Sequence, residues 1–158
     1  MPFCHLQIKI LRRPYPYKWK ATQTFAKAPQ TLTEHLRHYR LQHHLFQTQV
    51  AKILAVEKTT IQNWERGVSE PMIHQVPKII QLLGYDPEPV PTELGQRIAY
   101  CRRLLGFTQE DLGKVLSVGS VAIWQWESGR SLPPQPKLQY LQSLLGKSPI
   151  TGVILQLF

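Results

Sequence analysis

The chain has 158 residues, of which 42% are hydrophobic and 18% are charged, and its formal net charge is +9. This length suffices for one ordinary domain or two small ones, and no apolar run approaches the ~20 residues that cross a membrane. The N-terminus lacks an apolar signal segment, and Cys4 and Cys101 are the only cysteines, so we expect neither secretion nor a disulfide framework but a cytoplasmic protein.

Most of the positive charge lies in an N-terminal arm. Residues 1–27 carry six Lys or Arg and no acidic residue, with Tyr15, Tyr17 and Trp19 among them. A basic arm suits a polyanionic partner, because neutralising phosphates releases counterions. A solvated tail is the alternative interpretation, and the interleaved aromatic residues favour nucleic acid.

An internal repeat organises the rest of the chain. Residues 30–84 align with residues 92–146 without a gap, with 15 identities in 55 positions. We therefore predict two similar domains at 28–84 and 92–146, followed by an apolar tail at 147–158. The segment between them, 85–91, has prolines at alternate positions, which favours an extended, semi-rigid linker with a reach of roughly 22 Å.

Each copy is predicted to contain short helices in the same order. Apolar spacing predicts the first helix from Thr31 to about His44, and again from Glu93 to about Leu105. The later helices are predicted near Gln47–Leu54, Lys58–Arg66 and Val76–Leu83, then Gln109–Leu116, Ser120–Ser128 and Lys137–Leu145. Strand signals are weak throughout, so the predicted fold class is all-α.

Residues at the ends of these helices support the prediction. Thr108 with Asp111 three residues later is typical of a capping box, whereas Phe46 offers no such cap in the first copy. Gly67 and Gly129 are predicted to end the third helices. Gly84 and Gly146 end the last ones in the same way.

The second and third helices have the apolar spacing of a helix-turn-helix. Counting Gln47 or Gln109 as position one, apolar residues fall at positions 4, 8, 10, 15 and 18. A small residue stands at position 5, where two helices held at a fixed angle nearly touch. The residues are Val50, Leu54, Val56, Ile61 and Trp64 with Ala51, and Leu112, Leu116, Val118, Ile123 and Trp126 with Gly113.

On these residues, both copies resemble the Cro/repressor-type (Xre) helix-turn-helix regulators of bacteria and phages. The stretches that carry the resemblance are FQTQVAKILAVEKTTIQNWERGVSEP and FTQEDLGKVLSVGSVAIWQWESGRSLP. The resemblance implies two lambda-repressor-like bundles of about five short helices each, in tandem. Ala55 and Ser117 stand where this family usually has a glycine with positive φ, which would cost about 1 kcal/mol at each position.

The resemblance also assigns structural roles around the third helix, which is the recognition helix. Ile61 with Trp64, and Ile123 with Trp126, form its inward face. The acidic residues are expected in structural ion pairs with the first helix of the same copy, Glu65 with Arg40 and Glu127 with Arg102. A catalytic role for Glu65 is not expected.

The candidate DNA-contacting residues lie on the outward face of each recognition helix and beside it. By resemblance, the residues that reach base edges are Lys58, Thr59 and Asn63, then Ser120, Val121 and Gln125, with Gln62 and Trp124 on the same face. The expected phosphate contacts are Gln47, Gln109, Arg66 and Arg130. A polar solvent-facing surface is the alternative, and the repeat favours DNA.

The second copy is the less typical one. Its recognition helix begins without a cation, and Trp124 stands where an exposed residue is expected. Such a tryptophan can stack on a sugar or base, or anchor a protein interface.

These residues favour sequence-specific binding of double-stranded DNA by a transcriptional regulator whose operator has two non-identical half-sites. The alternative is an antitoxin-like protein or co-regulator, whose second domain and tail bind a protein partner or dimerise. No catalytic residue, cofactor or metal site is predicted. His35 and His38 share a helix face, but no further ligand of suitable spacing accompanies them.

Overall fold

The computed structural model describes the backbone of residues 28–146 and the side chains of residues 28–144. The basic arm at 1–27 and the apolar tail at 147–158 therefore lie outside the described residues. Within residues 28–146 all regular structure is helical, which confirms the predicted all-α class. None of the helices in this range combines the length and apolar character that crossing a bilayer requires.

The helices follow the order expected from the repeat. In the first copy they are α1 (Leu32–Gln42), α2 (Gln47–Leu54), α3 (Lys58–Glu65), a short 3-10 turn (Ile73–Gln75) and α4 (Val76–Leu83). In the second copy they are α5 (Leu94–Leu105), α6 (Gln109–Leu116), α7 (Ser120–Glu127) and α8 (Gln135–Gly146). The described part of each copy thus has four α-helices, compared with the expected five or so.

A proline explains why the last helices of the two copies differ. Gln135 at the start of α8 corresponds to Ile73, so α8 covers the 3-10 turn and α4 in one continuous helix. Pro77 has no N–H and its ring clashes with the carbonyl four residues earlier, which prevents an α-helix from running through it from Ile73. In the second copy the proline is Pro136, which lies in the first turn of α8, where a proline is tolerated.

Capping side chains define several helix starts. The predicted capping box is present at α6, where the Thr108 hydroxyl accepts a hydrogen bond from the Asp111 N–H at 3.1 Å and the Asp111 carboxylate accepts one from the Thr108 N–H at 3.0 Å. The Thr108 hydroxyl also donates to the Asp111 carboxylate at 2.6 Å, and this hydrogen bond, together with the one from the Thr108 N–H, lowers the pKa of Asp111. At α2 the Phe46 side chain makes no cap, as predicted, but the Gln49 side chain accepts from the Phe46 N–H at 2.7 Å.

The turn between the second and third helices has the backbone conformation that the resemblance implied. Ala55 has φ of 55° and Ser117 has φ of 53°. Both are left-handed, so each side chain clashes with its own backbone at a cost of about 1–2 kcal/mol. Gly67 and Gly129, with φ of 70° and 71°, adopt the left-handed conformation without this cost and end the recognition helices as predicted.

Glycine at the turn positions is expected to stabilise the protein. Ala55→Gly and Ser117→Gly should each raise the free energy of unfolding by about 0.5–1 kcal/mol, because the relief of strain exceeds the entropy that glycine loses on folding. Urea denaturation measures the change. Ala122→Gly, in the interior of α7, is the control and should lower the value by about 1 kcal/mol. A loss of stability at both turn positions would contradict the interpretation.

The two copies have separate cores that meet at α4. The first core contains Ile79 and Leu83 of α4 together with buried residues of α1, α2 and α3. Val76 and Ile80, on another side of α4, belong instead to the core of the second copy, where they join α5, α6, α7 and α8. The domains are therefore packed directly against each other, in addition to being connected by the linker.

Candidate nucleic-acid interface

Each recognition helix packs on the buried apolar residues that the helix-turn-helix spacing predicted. Val50 and Ile61, like Leu112 and Ile123 in the second copy, are fully buried. At Gly113, an added Cβ would lie 2.8 Å from the backbone oxygen of Val118, so this position accepts no side chain without movement. The apolar frame of the motif is therefore buried in both copies.

A buried ion pair holds the end of each recognition helix to the first helix of its copy. Arg40 Nη2 donates to Glu65 Oε2 at 2.7 Å, and Arg40 Nη1 donates to the carbonyl of Leu45 at 3.1 Å. The side chains of Arg40 and Glu65 are 11% and 5% exposed. Because the carboxylate and the guanidinium are both satisfied in this geometry, the pair fixes α3 against α1 and the following loop.

The second copy repeats this arrangement. Arg102 Nε donates to Glu127 Oε1 at 2.6 Å, and Arg102 Nη1 donates to the carbonyl of Phe107 at 3.0 Å. The structure therefore contains both of the ion pairs that the family resemblance implied.

The two glutamines expected at phosphates take part in the same networks. Gln47 Nε2 donates to Glu65 Oε2 at 2.9 Å, and Gln109 Nε2 donates to Glu127 Oε2 at 2.7 Å. Sequence reasoning did not foresee this use of the amides. Each glutamine is half-buried and is the first residue of its helix. The hydrogen bond therefore orients its side chain in the absence of a ligand.

The outward face of α3 is polar and accessible. Lys58, Thr59 and Asn63 are exposed, and Gln62 is half-buried beside them. Within residues 28–144, no hydrogen bond or ion pair engages the side chains of Lys58, Thr59 or Asn63. Arg66 is also exposed and lies directly after the helix. This face therefore offers one ammonium, one guanidinium, a hydroxyl and amides to a ligand.

The outward face of α7 has a different chemistry. Ser120, Val121 and Gln125 are exposed, as the repeat predicted, and the side chain of Trp124 is 41% exposed. The guanidinium carbon of Arg130 lies 4.3 Å from the centre of a Trp124 ring, which is a cation–π contact.

This contact joins two residues with separate predicted roles: Trp124 was expected on the outward face, to stack on a sugar or base or to anchor a protein interface, and Arg130 was expected at phosphate. The left-handed turn at Gly129 returns the chain toward α7 and makes the contact possible, and only that glycine signalled it in the sequence.

Sequence reasoning also missed charged residues at the junction of the two copies. Arg103 of α5 forms ion pairs with Asp86 at 2.7 Å and with Glu88 at 3.0 Å, both in the segment predicted as a linker. The alternating prolines of this segment predict a stiff backbone, but they do not indicate that its acidic residues form ion pairs with α5. The sequence signal was an arginine at 103 where the first copy has Leu41.

Two further titratable side chains, His35 and Cys101, have structural surroundings. His35 Nδ1 lies 2.9 Å from the Tyr85 hydroxyl and joins α1 to the start of the linker. Burial raises the pKa of the Cys101 thiol to about 12, so this thiol stays neutral in the core. Among the described residues, no group of three His, Cys, Asp or Glu side chains is placed to hold a metal ion.

Comparisons with known proteins agree with this geometry. Residues 36–90 and residues 98–151 each match the helix-turn-helix family. A segment of 56 residues is 41% identical to the HTH-type transcriptional regulator DicA of Escherichia coli (strain K12), covering 35% of this chain and 42% of that protein. No solved structure matches the chain. With two matches that together span more than half of its length, the chain belongs to the Cro/C1-type helix-turn-helix family and carries the family's domain twice in tandem.

Proposed function

We propose that this protein is a transcriptional regulator that binds double-stranded DNA in a sequence-specific manner and occupies an operator with two non-identical half-sites. The observation that carries the proposal is the contrast between the two copies. Both recognition helices are held by the same buried frame and ion pair, yet they present different exposed side chains. Membership of a DNA-binding family and similarity to a protein named a transcriptional regulator support the same conclusion.

In the first domain, α3 reads bases in the major groove. Lys58 donates to guanine O6 or N7, and Asn63 pairs with adenine through its amide. Thr59 and Gln62 complete the face. Arg66 contacts phosphate after the helix, and so does the N-terminus of α2 with Gln47.

In the second domain, α7 makes fewer charged contacts. Gln125 pairs with adenine, Val121 contacts a thymine methyl group, and Ser120 supplies a hydroxyl. The stacked side chains of Trp124 and Arg130 lie against the sugar–phosphate backbone, where the guanidinium meets phosphate and the indole covers sugar. The second half-site should therefore contribute less electrostatic affinity than the first.

Selection from a random duplex library, followed by footprinting with base-by-base substitution, tests the proposal. We expect one composite site in which substitutions at two groups of base pairs lower affinity by about 1–3 kcal/mol each. Protection of a single half-site would contradict the proposal that both domains read bases. Equal affinity for all duplexes would contradict sequence-specific binding, and with it the proposed function.

A second candidate function is that of an antitoxin-like protein or co-regulator, in which only the first domain binds DNA. Three exposed apolar side chains of the second domain favour it, since Val121, Trp124 and Leu132 are 65%, 41% and 78% exposed. Exposed apolar side chains of this kind, together with the apolar sequence at 147–158, suit a protein partner or a second copy of the chain. Light scattering of the chain with and without residues 150–158 checks the dimer form, and a monomer in both cases would count against it.

The basic arm is expected to contribute affinity that does not depend on base sequence. Replacing the six Lys and Arg of residues 1–27 with Gln should weaken binding to every duplex and reduce the slope of log K against log salt by up to about 5, at ~0.9 per lost phosphate contact. Binding isotherms from 50 to 200 mM salt measure both effects. The ratio between selected and scrambled duplex should not change, and an unchanged slope would exclude the arm from the interface.

A further inference from the structure

The junction between the two domains buries apolar side chains from unlike helices. Val76 and Ile80 of α4 are 6% and 1% exposed and lie in one cluster with Tyr100, Cys101 and Leu104 of α5. An added Cβ at Gly106 would lie 3.0 Å from Pro77 Cγ and 3.2 Å from His74 Cα. The end of α5 therefore lies close against Pro77 and His74 of the first domain.

A buried ion pair fixes the linker to the same helix. Arg103 Nη2 donates to both carboxylate oxygens of Asp86, at 2.8 and 2.7 Å, and the Asp86 side chain is only 1% exposed. The guanidinium of Arg103 also lies 5.4 Å from the centre of the Tyr100 ring. Since Asp86 follows α4 by three residues, this pair ties the exit of the first domain to the body of the second.

The junction is not compatible with two-fold symmetry between the domains. The last helix of the first copy, α4, packs on the first helix of the second copy, α5. A two-fold axis would also require α8 to pack on α1, and within residues 28–146 that pair is not among the helix pairs in substantial contact. The contact is therefore heterologous, or head-to-tail, rather than isologous.

Two modules of the same fold that dock on DNA in the same way place their half-sites in the same spatial relation as the modules themselves. A two-fold relation between the modules corresponds to an inverted repeat, which the head-to-tail junction excludes, whereas a repeat in one direction needs no two-fold axis. We propose that the two half-sites follow each other in the same direction at a single spacing, and that Arg103 and Asp86 are the positioning residues that enforce it. This rests on the proposed function, in which both domains read DNA.

Calorimetry tests the rigid junction without DNA. The full chain should unfold in one transition, and Arg103→Ala or Asp86→Asn should split it into two. Gly106→Ala provides a second variant, because its added methyl group would crowd Pro77 and His74 across the junction, which must shift by a few tenths of an ångström to accept it. Gly84→Ala is its matched control: both glycines have positive φ, of 72° and 81°, but nothing lies within 4 Å of a Cβ at Gly84. We expect Gly84→Ala to lower Tm while leaving one transition.

A panel of duplexes tests the half-site arrangement. Starting from the selected site, the second half-site is inverted in place, or moved by five base pairs, which is about half a helical turn. Either change should weaken binding of the natural chain by about 10²-fold, since rigid modules cannot engage both half-sites together. Arg103→Ala should reduce this penalty to less than about 10-fold, because its domains reorient.

The outcomes separate the two proposals. Independent unfolding of the domains in the natural chain, or a preference for the inverted half-site, would overturn the inference while leaving sequence-specific binding intact. So would an equal affinity for every spacing and orientation. A failure of every variant to bind duplex would overturn the proposed function and the half-site arrangement, and calorimetry would still show whether Arg103 holds the domains together.

Discussion

Replacing Lys58 and Asn63 together with alanine is expected to abolish the sequence preference of the first domain. Each side chain is exposed on α3. Lys58 has the donors for guanine O6 and N7, and the amide of Asn63 has the donor and the acceptor that adenine N7 and N6 require. At about 1–3 kcal/mol per contact, the double variant should bind the selected duplex roughly 30- to 10⁴-fold more weakly. Titration of matched and scrambled duplexes at one salt concentration measures the loss.

The repeat supplies the matched control for this experiment. Ser120 and Gln125 occupy the equivalent positions on α7, and their double replacement by alanine should affect only the second half-site. The double replacement of Lys58 and Asn63 should weaken binding to scrambled duplex much less than binding to matched duplex, because base contacts contribute little to the binding of scrambled duplex. If matched and scrambled duplexes lose affinity equally, Lys58 and Asn63 contribute only general electrostatic attraction, and base readout must come from other residues.

Truncation of Glu65 is expected to be the most destabilising single change at the interface. Glu65→Ala leaves the buried guanidinium of Arg40 without its carboxylate and removes the acceptor of Gln47. The loss of one partner of a buried pair costs about 3–5 kcal/mol, a large part of the ~5–15 kcal/mol that stabilises a domain. Urea denaturation followed by far-UV circular dichroism measures the change.

An exposed ion pair gives the comparison for this effect. Lys114 and Glu110 lie 2.7 Å apart with side chains 69% and 72% exposed, so Glu110→Ala should change the free energy of unfolding by no more than about 0.5 kcal/mol. Replacing Arg40 and Glu65 together with apolar residues should recover much of the loss, because no charge then remains buried without a partner. A loss of less than about 1 kcal/mol for Glu65→Ala would show that the pair is dispensable.

Local patterns in the sequence were sufficient for the helices and for the frame of the motif. Val50, Leu54, Ile61 and Trp64 are buried as their spacing predicted, because a helix-turn-helix imposes its own periodicity whatever surrounds it. The left-handed turn at Ala55 followed from the family resemblance, since neither its side chain nor its neighbours signal it.

Contacts between distant parts of the chain were not predictable in the same way. The apolar spacing of α4 by itself explains why Ile79 and Leu83 are buried in the first core. The same spacing does not show that Ile80 packs against the second domain. The sequence has Gly106 where the first copy has His44. Because a glycine commonly ends a helix, this difference gave no reason to expect that Gly106 lies close to Pro77 and His74 of the first domain. The hydrogen bond of Gln47 also depends on tertiary placement.

The head-to-tail junction has a consequence for self-association. A contact of this kind can in principle continue from one molecule to the next and build a filament. The surfaces that would continue it are polar, because α1 has His38 and Gln42 where α5 has Tyr100 and Leu104, and α8 has exposed Gln142 where α4 has Ile80. Continuing this junction would bury Gln142 of α8 against His38 and Gln42 on α1 of the next molecule, in place of the apolar contacts between α4 and α5. Burial of these polar groups is unfavourable, so the described surfaces do not favour a filament built through this junction.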